Sequence, residues 1–91
     1  MQPARIGPPL PGVTTVDLDG RVVAYSPHQQ KAIFLNETAS EIWRLSDGSR
    51  ALDDLIEQLA TAYATDPAAI ADDVRLAVAS FVDAGLIAEP A

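Results

Sequence analysis

The sequence contains no cysteine. That excludes a disulfide framework, a thiolate metal site, a thiol nucleophile and a thiol redox switch. With no disulfide to maintain, a reducing cytoplasm is the expected location. Histidine occurs once, at His28, so no pair of imidazoles can hold a metal. Basic residues are scarce: six Lys and Arg stand against 13 Asp and Glu, a formal charge of −7. Phosphate backbones and anionic bilayers are bound by basic faces, so neither nucleic acid nor membrane is an expected partner. The five glycines, Gly7, Gly12, Gly20, Gly48 and Gly85, are scattered and form no phosphate-cradling loop. No transmembrane or export segment is visible. The first 11 residues hold Pro3, Pro8, Pro9 and Pro11 and lack the apolar run of about 7–15 residues that a signal peptide needs.

What remains is a chain of 91 residues, 48% hydrophobic. That length is one domain, and a modest one. Residues 1–12 read as an extended, proline-rich and poorly ordered arm, residues 13–88 as the folded domain and residues 89–91 as a tail.

The hydrophobic period changes along the domain. Val13 to Leu18 and Arg21 to Tyr25 are β-rich runs separated by Asp19-Gly20. An Asp-Gly pair between such runs is the strongest short hairpin signal, because a type I′ turn needs positive φ at both positions. Val16 and Leu18 share one face of the first strand. A longer polar turn, Ser26 to Gln30, leads into a third short strand at Lys31 to Leu35. From Asn36 the period is helical. Asn36, or Thr38 with Glu41, caps a first helix whose stripe is Ala39, Ile42 and Trp43 and which ends at Asp47-Gly48. A second helix runs from about Ala51 to Tyr63 with Leu52, Leu55, Ile56, Leu59 and Tyr63 as its core face. Its natural cap position is occupied by Ala51, with Asp54 three residues on and Ser49 as a substitute cap. Asp66-Pro67 opens a third helix that ends at Gly85, with Ile70, Val74, Ala77, Val78 and Phe81 facing inward. The expectation is an α+β fold, winged-helix-like: a three-stranded antiparallel sheet followed by three helices.

No catalytic constellation emerges. His28 lies in a polar turn with no serine or carboxylate forced beside it. Asp53-Asp54 and Asp72-Asp73 are adjacent on helices, so each pair diverges by roughly 100° and shares no site. Asp53 and Glu57 sit on one solvated face. The expected protein is not an enzyme and has no cofactor and no metal. Trp43, on a helical stripe, reads as core, buried with Ile42 and Phe81 against the second and third helices.

The informative feature is the third strand. Lys31-Ala32-Ile33-Phe34-Leu35 is short, apolar and carries a single charge. An edge strand exposes unpaired N–H and C=O groups, which proteins usually blunt. Either the arm or a helix covers this edge, or it is kept open to accept another strand.

The run Phe34-Leu35-Asn36-Glu37-Thr38-Ala39-Ser40-Glu41-Ile42-Trp43, with Leu45 and Asp47-Gly48 after it, resembles the PqqD-like family. So do Leu55-Ile56, Leu59, Tyr63, Asp66-Pro67, Asp73-Val74, Phe81-Val82 and Gly85-Leu86-Ile87, in that order. These are the precursor-peptide recognition elements of ribosomal peptide natural-product pathways. The likeness covers residues 13–88 and implies a non-enzymatic module that binds the leader of a precursor peptide and presents it to a modifying enzyme. It implies a site made of Lys31, Ala32, Ile33, Phe34 and Leu35 with the third helix. Of that helix's two shoulders, the more apolar one holds Ala71, Arg75, Val78 and Val82 beside Val74, and the opposite one holds Asp73, Leu76 and Ser80. The first is the expected wall. The alanine-rich sequence resembles free-standing members of lasso-peptide clusters, which implies a leader peptidase as the enzyme partner. A radical-SAM enzyme of pyrroloquinoline-quinone-type synthesis is the alternative. A winged-helix DNA-binding regulator is less favoured, because Asp72, Asp73 and Asp83 outnumber Arg75 on the third helix.

Overall fold

The computed structural model describes residues 5–89. Three strands come first: β1 (Thr14–Leu18), β2 (Arg21–Ser26) and β3 (Lys31–Phe34). Three helices follow: α1 (Glu37–Leu45), α2 (Leu52–Ala62) and α3 (Pro67–Asp83). The sheet is antiparallel in the order β1-β2-β3, so β3 is an edge. The fold is α+β and winged-helix-like, with the sheet leading.

The local signals explain the elements. Asp19 and Gly20 both have positive φ, 53° and 89°, as a type I′ hairpin turn requires. The Asn36 side chain accepts the Ala39 N–H at 2.8 Å and starts α1. Asp66 accepts the Ala68 N–H at 2.9 Å, and Pro67 occupies the first position of α3. Ala51 is the N-cap of α2 and offers no side-chain acceptor. Asp54 compensates by accepting the Ala51 N–H at 3.2 Å. Ser49 does not substitute, because its hydroxyl and its N–H both go to Asp47.

One sheet face packs on the helices. Val22, Ala24 and Ser26 of β2 are buried there, with Ile42, Leu55, Val74, Phe81 and Leu86 forming the centre of the core. Ser26 donates to the Gly85 carbonyl at 3.1 Å, joining the sheet to the end of α3. Gly85 has φ +73°, and a Cβ there would lie 2.9 Å from the Ser26 hydroxyl, so this junction needs glycine. The other sheet face is uncovered. Val16, Val23 and Phe34 form one row across it by register, and Val16, Leu18, Tyr25 and Phe34 are exposed. Tyr63 is exposed as well, outside the core face expected of α2, because the helix has ended by the time it is reached.

The N-terminal arm departs most from expectation. From Arg5 onward it is docked, not loose. Ile6 is buried, its N–H reaches the Arg50 carbonyl at 2.8 Å, and its carbonyl accepts the Gly48 N–H at 2.9 Å. Leu10 donates to the Leu86 carbonyl at 2.9 Å, and the His28 ring nitrogen Nε2 lies 3.2 Å from the Pro11 carbonyl oxygen. None of these contacts is made with a residue of β3. The residues preceding Arg5 lie outside the described residues.

Candidate functional site: the cleft beside the third strand

Which groups of β3 face outward follows from the ladder. Leu35 donates to the Val22 carbonyl at 2.9 Å, and the register pairs Ile33 with Ala24 and Lys31 with Ser26. In an antiparallel pair, residues alternate between bonding the neighbour and bonding outward. Lys31, Ile33 and Leu35 therefore bond β2. Ala32 and Phe34 aim their N–H and C=O groups at the open edge.

The side chains alternate in the opposite sense. Ile33 and Leu35 lie across from buried Ala24 and Val22, so they share the helix-facing side. Leu35 is itself buried and belongs to the core. Ala32 and Phe34 lie across from Tyr25 and Val23 on the uncovered side, and Phe34 is 77% exposed.

Opposite this edge runs α3. At one end the two elements are tied by Gln29, whose side-chain amide donates to the Asp83 carbonyl at 2.6 Å. At the other end α1 closes against α3 around a notch of about 450 Å³. Asn36, Thr38, Ala39 and Ile42 line it from α1 and its cap, and Asp73, Leu76, Ala77 and Ser80 from α3. Between these ends no Cα of β3 comes within 8 Å of α3. The unpaired edge of β3 thus ends at Asn36, where the notch between α1 and α3 begins.

The two shoulders of α3 line different grooves, and it is the second that borders the notch beside Asn36. Arg75, Val78 and Val82 line a separate groove of about 560 Å³ together with Ile6, Ala51 and Leu52. Val74 and Val78 are buried in the core, and Ala71 packs against it partly buried. The reason is packing: α3 uses its apolar shoulder on α2 and the arm, which leaves Asp73, Leu76 and Ser80 toward α1 and its cap. Leu76 is 70% exposed.

A family profile described as "Coenzyme PQQ synthesis protein D (PqqD)" matches residues 21–87, from β2 to the segment after α3. The chain belongs to the PqqD family. A curated relative in Rhodopseudomonas palustris (strain BisB5), the "PqqA binding protein", is 35% identical over 60 residues, 66% of this chain and 59% of that protein. The chain thus spans about three fifths of that relative's length. A solved structure, "TbiB1 in Complex with the TbiA(beta) Leader Peptide", superposes with TM-score 0.80 over 96% of this chain and 98% of that one, at 18% identity. That likeness is one of fold.

In this PqqD domain, sequence periodicity identified both shoulders of α3 but not their neighbours. The signal that separates them is weak yet present. Leu76 is a large apolar residue off the core stripe, flanked on its shoulder by polar Asp73 and Ser80, which marks an apolar side chain that no element of the fold needs. Among the described residues, no helix is long and apolar enough to cross a membrane.

Proposed function

We propose that this protein is a non-catalytic recognition module that takes up the leader segment of a ribosomally made precursor peptide and presents it to a maturation enzyme. The observation that carries this reading is the unpaired edge of β3 standing across an open cleft from α3. A leader strand laid along that edge would bond to Ala32 and Phe34 and send alternate side chains into the cleft, toward Ile33, Leu76 and Ala77. The binding partners in the names of the PqqA-binding relative and of the TbiB1 complex support a peptide ligand. For the enzyme partner, the lasso-type likeness of the sequence puts a leader peptidase first. The PqqA-binding relative favours, as a second reading, an enzyme of the pyrroloquinoline quinone type. The apolar row of exposed Val16, half-buried Val23 and exposed Phe34 on the uncovered sheet face is a surface of the kind that partners cover.

The test is amide titration of labelled protein with the leader of a precursor peptide encoded beside this chain. The largest shifts are expected at residues 31–34 and on α3 from Asp73 to Ser80. Phe34→Pro removes an outward N–H and should weaken binding at least tenfold, about 1.4 kcal/mol, while the domain stays folded. Ile33→Pro removes a ladder bond and should cost the fold itself. Silence at residues 31–34, with shifts on the Asp19-Gly20 hairpin or on α2, would rule out strand addition at this edge.

A further inference from the structure

We infer that Asp73 makes the notch at the end of the cleft selective for a Lys or Arg of the bound peptide, placed two residues from the apolar residue that packs on Ile33. This inference rests on the leader-binding reading above and specifies its ligand. The apolar lining of the notch runs from buried Ile42 through half-buried Ala39 and Ala77 to exposed Leu76. Its polar rim is Asn36, Thr38, Asp73 and Ser80, and two of these four are already engaged. Asn36 Oδ1 holds the Ala39 N–H at 2.8 Å. Ser80 Oγ donates to the Ala77 carbonyl at 2.8 Å. Asp73 forms no ion pair among the described residues. The nearest cation in sequence, Arg75, pairs with Asp72 and lines the groove on the far side of α3. The notch therefore offers a carboxylate as its strongest acceptor, beside an apolar lining. A long side chain with methylenes for the lining and a cationic tip for the carboxylate matches both features, and a charge-assisted hydrogen bond is roughly twice as strong as a neutral one.

The spacing follows from strand geometry. Side chains of an added strand enter the cleft at every second residue, about 6.6 Å apart. One of them packs on Ile33. The next one toward α1 passes the end of β3 at Phe34 and meets the notch, which starts at Asn36. The selected peptide therefore reads apolar-x-cation along the strand, or its reverse when the strand runs the other way.

The experiment is selection of displayed random dodecapeptides on the full chain, run in parallel on Asp73→Asn, Asp73→Lys and the edge-blocked Phe34→Pro. Asp73 is exposed, so its variants should fold, and circular dichroism of each protein verifies this. Where Phe34→Pro fails that check, Ala32→Pro replaces it. On the parent protein, Lys and Arg should be enriched at least tenfold at one position two residues from an aliphatic or aromatic one. That enrichment should vanish on Asp73→Asn and become Asp and Glu on Asp73→Lys. If the parent and both Asp73 variants select the same peptides, or if the parent favours neutral side chains at that position, the role of Asp73 is overturned and the cleft reading stands. If the parent enriches nothing beyond the edge-blocked protein, the leader-binding reading itself fails.

Discussion

Trp43 and Phe81 meet edge to face, their ring centroids 5.3 Å apart and their planes at 83°. Each comes from a different helix, α1 and α3, and both are buried. The contact fixes how α1 crosses α3, and that crossing shapes the notch between them. A T-shaped pair contributes about 0.5–1.5 kcal/mol beyond its burial. Trp43→Ala should therefore cost about 3–5 kcal/mol in denaturant unfolding, a large share of a small domain's stability. A variant that melts like the parent and loses only peptide affinity would make Trp43 a surface anchor and refute its core role.

Ser40 supplies the second prediction. Its buried hydroxyl accepts the Val22 N–H at 2.8 Å and donates to the Leu35 carbonyl at 3.4 Å. Val22 and Leu35 sit opposite each other where β3 leaves the sheet, and their other ladder bond, Leu35 N–H to Val22 carbonyl, is direct. Ser40 thus fills the place of the missing ladder bond from within α1. Ser40→Ala would leave a buried N–H without a partner, at a cost of about 1–3 kcal/mol. The local readout is hydrogen exchange: the Val22 amide should lose protection relative to amides in the middle of α3. Equal losses at both sites would mean only global destabilisation.

The two strand turns and two of the helix starts were legible because each is written in a few adjacent residues. Asp19-Gly20 needs no partner to turn, and Asn36 and Asp66-Pro67 cap from within their own helices. The open edge of β3 was legible for a similar reason, since a short apolar third strand leaves nothing after it to pair. The docked arm was not legible. It contributes one isolated buried residue, Ile6, held by backbone bonds to Arg50 and Gly48 that leave no pattern in the side chains. The shoulder of α3 that faces β3 was hidden for another reason. A helical stripe fixes which residues point inward, but which flank meets α1 and which meets α2 depends on the handedness of the three-helix arrangement. That handedness comes from long-range packing, as the Trp43–Phe81 contact illustrates.

The third prediction concerns pH. Asp17 anchors the β1–β2 hairpin to α1. It accepts from Arg44 at 2.7 Å and from the Gly20 N–H at 2.9 Å, and Arg44 also reaches the Gly20 carbonyl at 2.9 Å. The Arg44 hydrogen bond first, and the Gly20 N–H second, hold the Asp17 carboxyl below the usual carboxylate range. A pKa lowered on folding gives stability that is present above the unfolded value and lost as pH falls through the folded one. Melting curves of the parent and Asp17→Asn should therefore differ at pH 6 and converge below about pH 4. The group is solvent-exposed, so added salt should shrink the difference at pH 6. A gap that stays constant down to pH 2 would assign the effect to the shape of the side chain and not to its charge.

The fourth prediction separates the two shoulders of α3. Leu76 and Val82 lie on opposite flanks, Leu76 70% exposed beside the notch and Val82 half-buried in the groove shared with Ala51 and Leu52. An Asp at either site adds the same charge to the same helix. Any general electrostatic effect on an approaching peptide should therefore be similar for the two. Leu76→Asp should leave stability near that of the parent, since the side chain it replaces is already in water. It should weaken binding of the leader at least tenfold, about 1.4 kcal/mol, by replacing the apolar surface on which the peptide's side-chain methylenes would pack with a hydrated carboxylate. Val82→Asp should cost stability, because its side chain packs against the core, and should bind within about threefold of the parent wherever it remains folded. Val78→Asp is no substitute, since Val78 is buried and a carboxylate there would unfold the domain before it tested the surface. Isothermal titration with the leader, at a temperature well below both melting points, makes the comparison. Loss of binding in Val82→Asp with Leu76→Asp unaffected would move the peptide to the groove beside α2 and take strand addition at β3 with it.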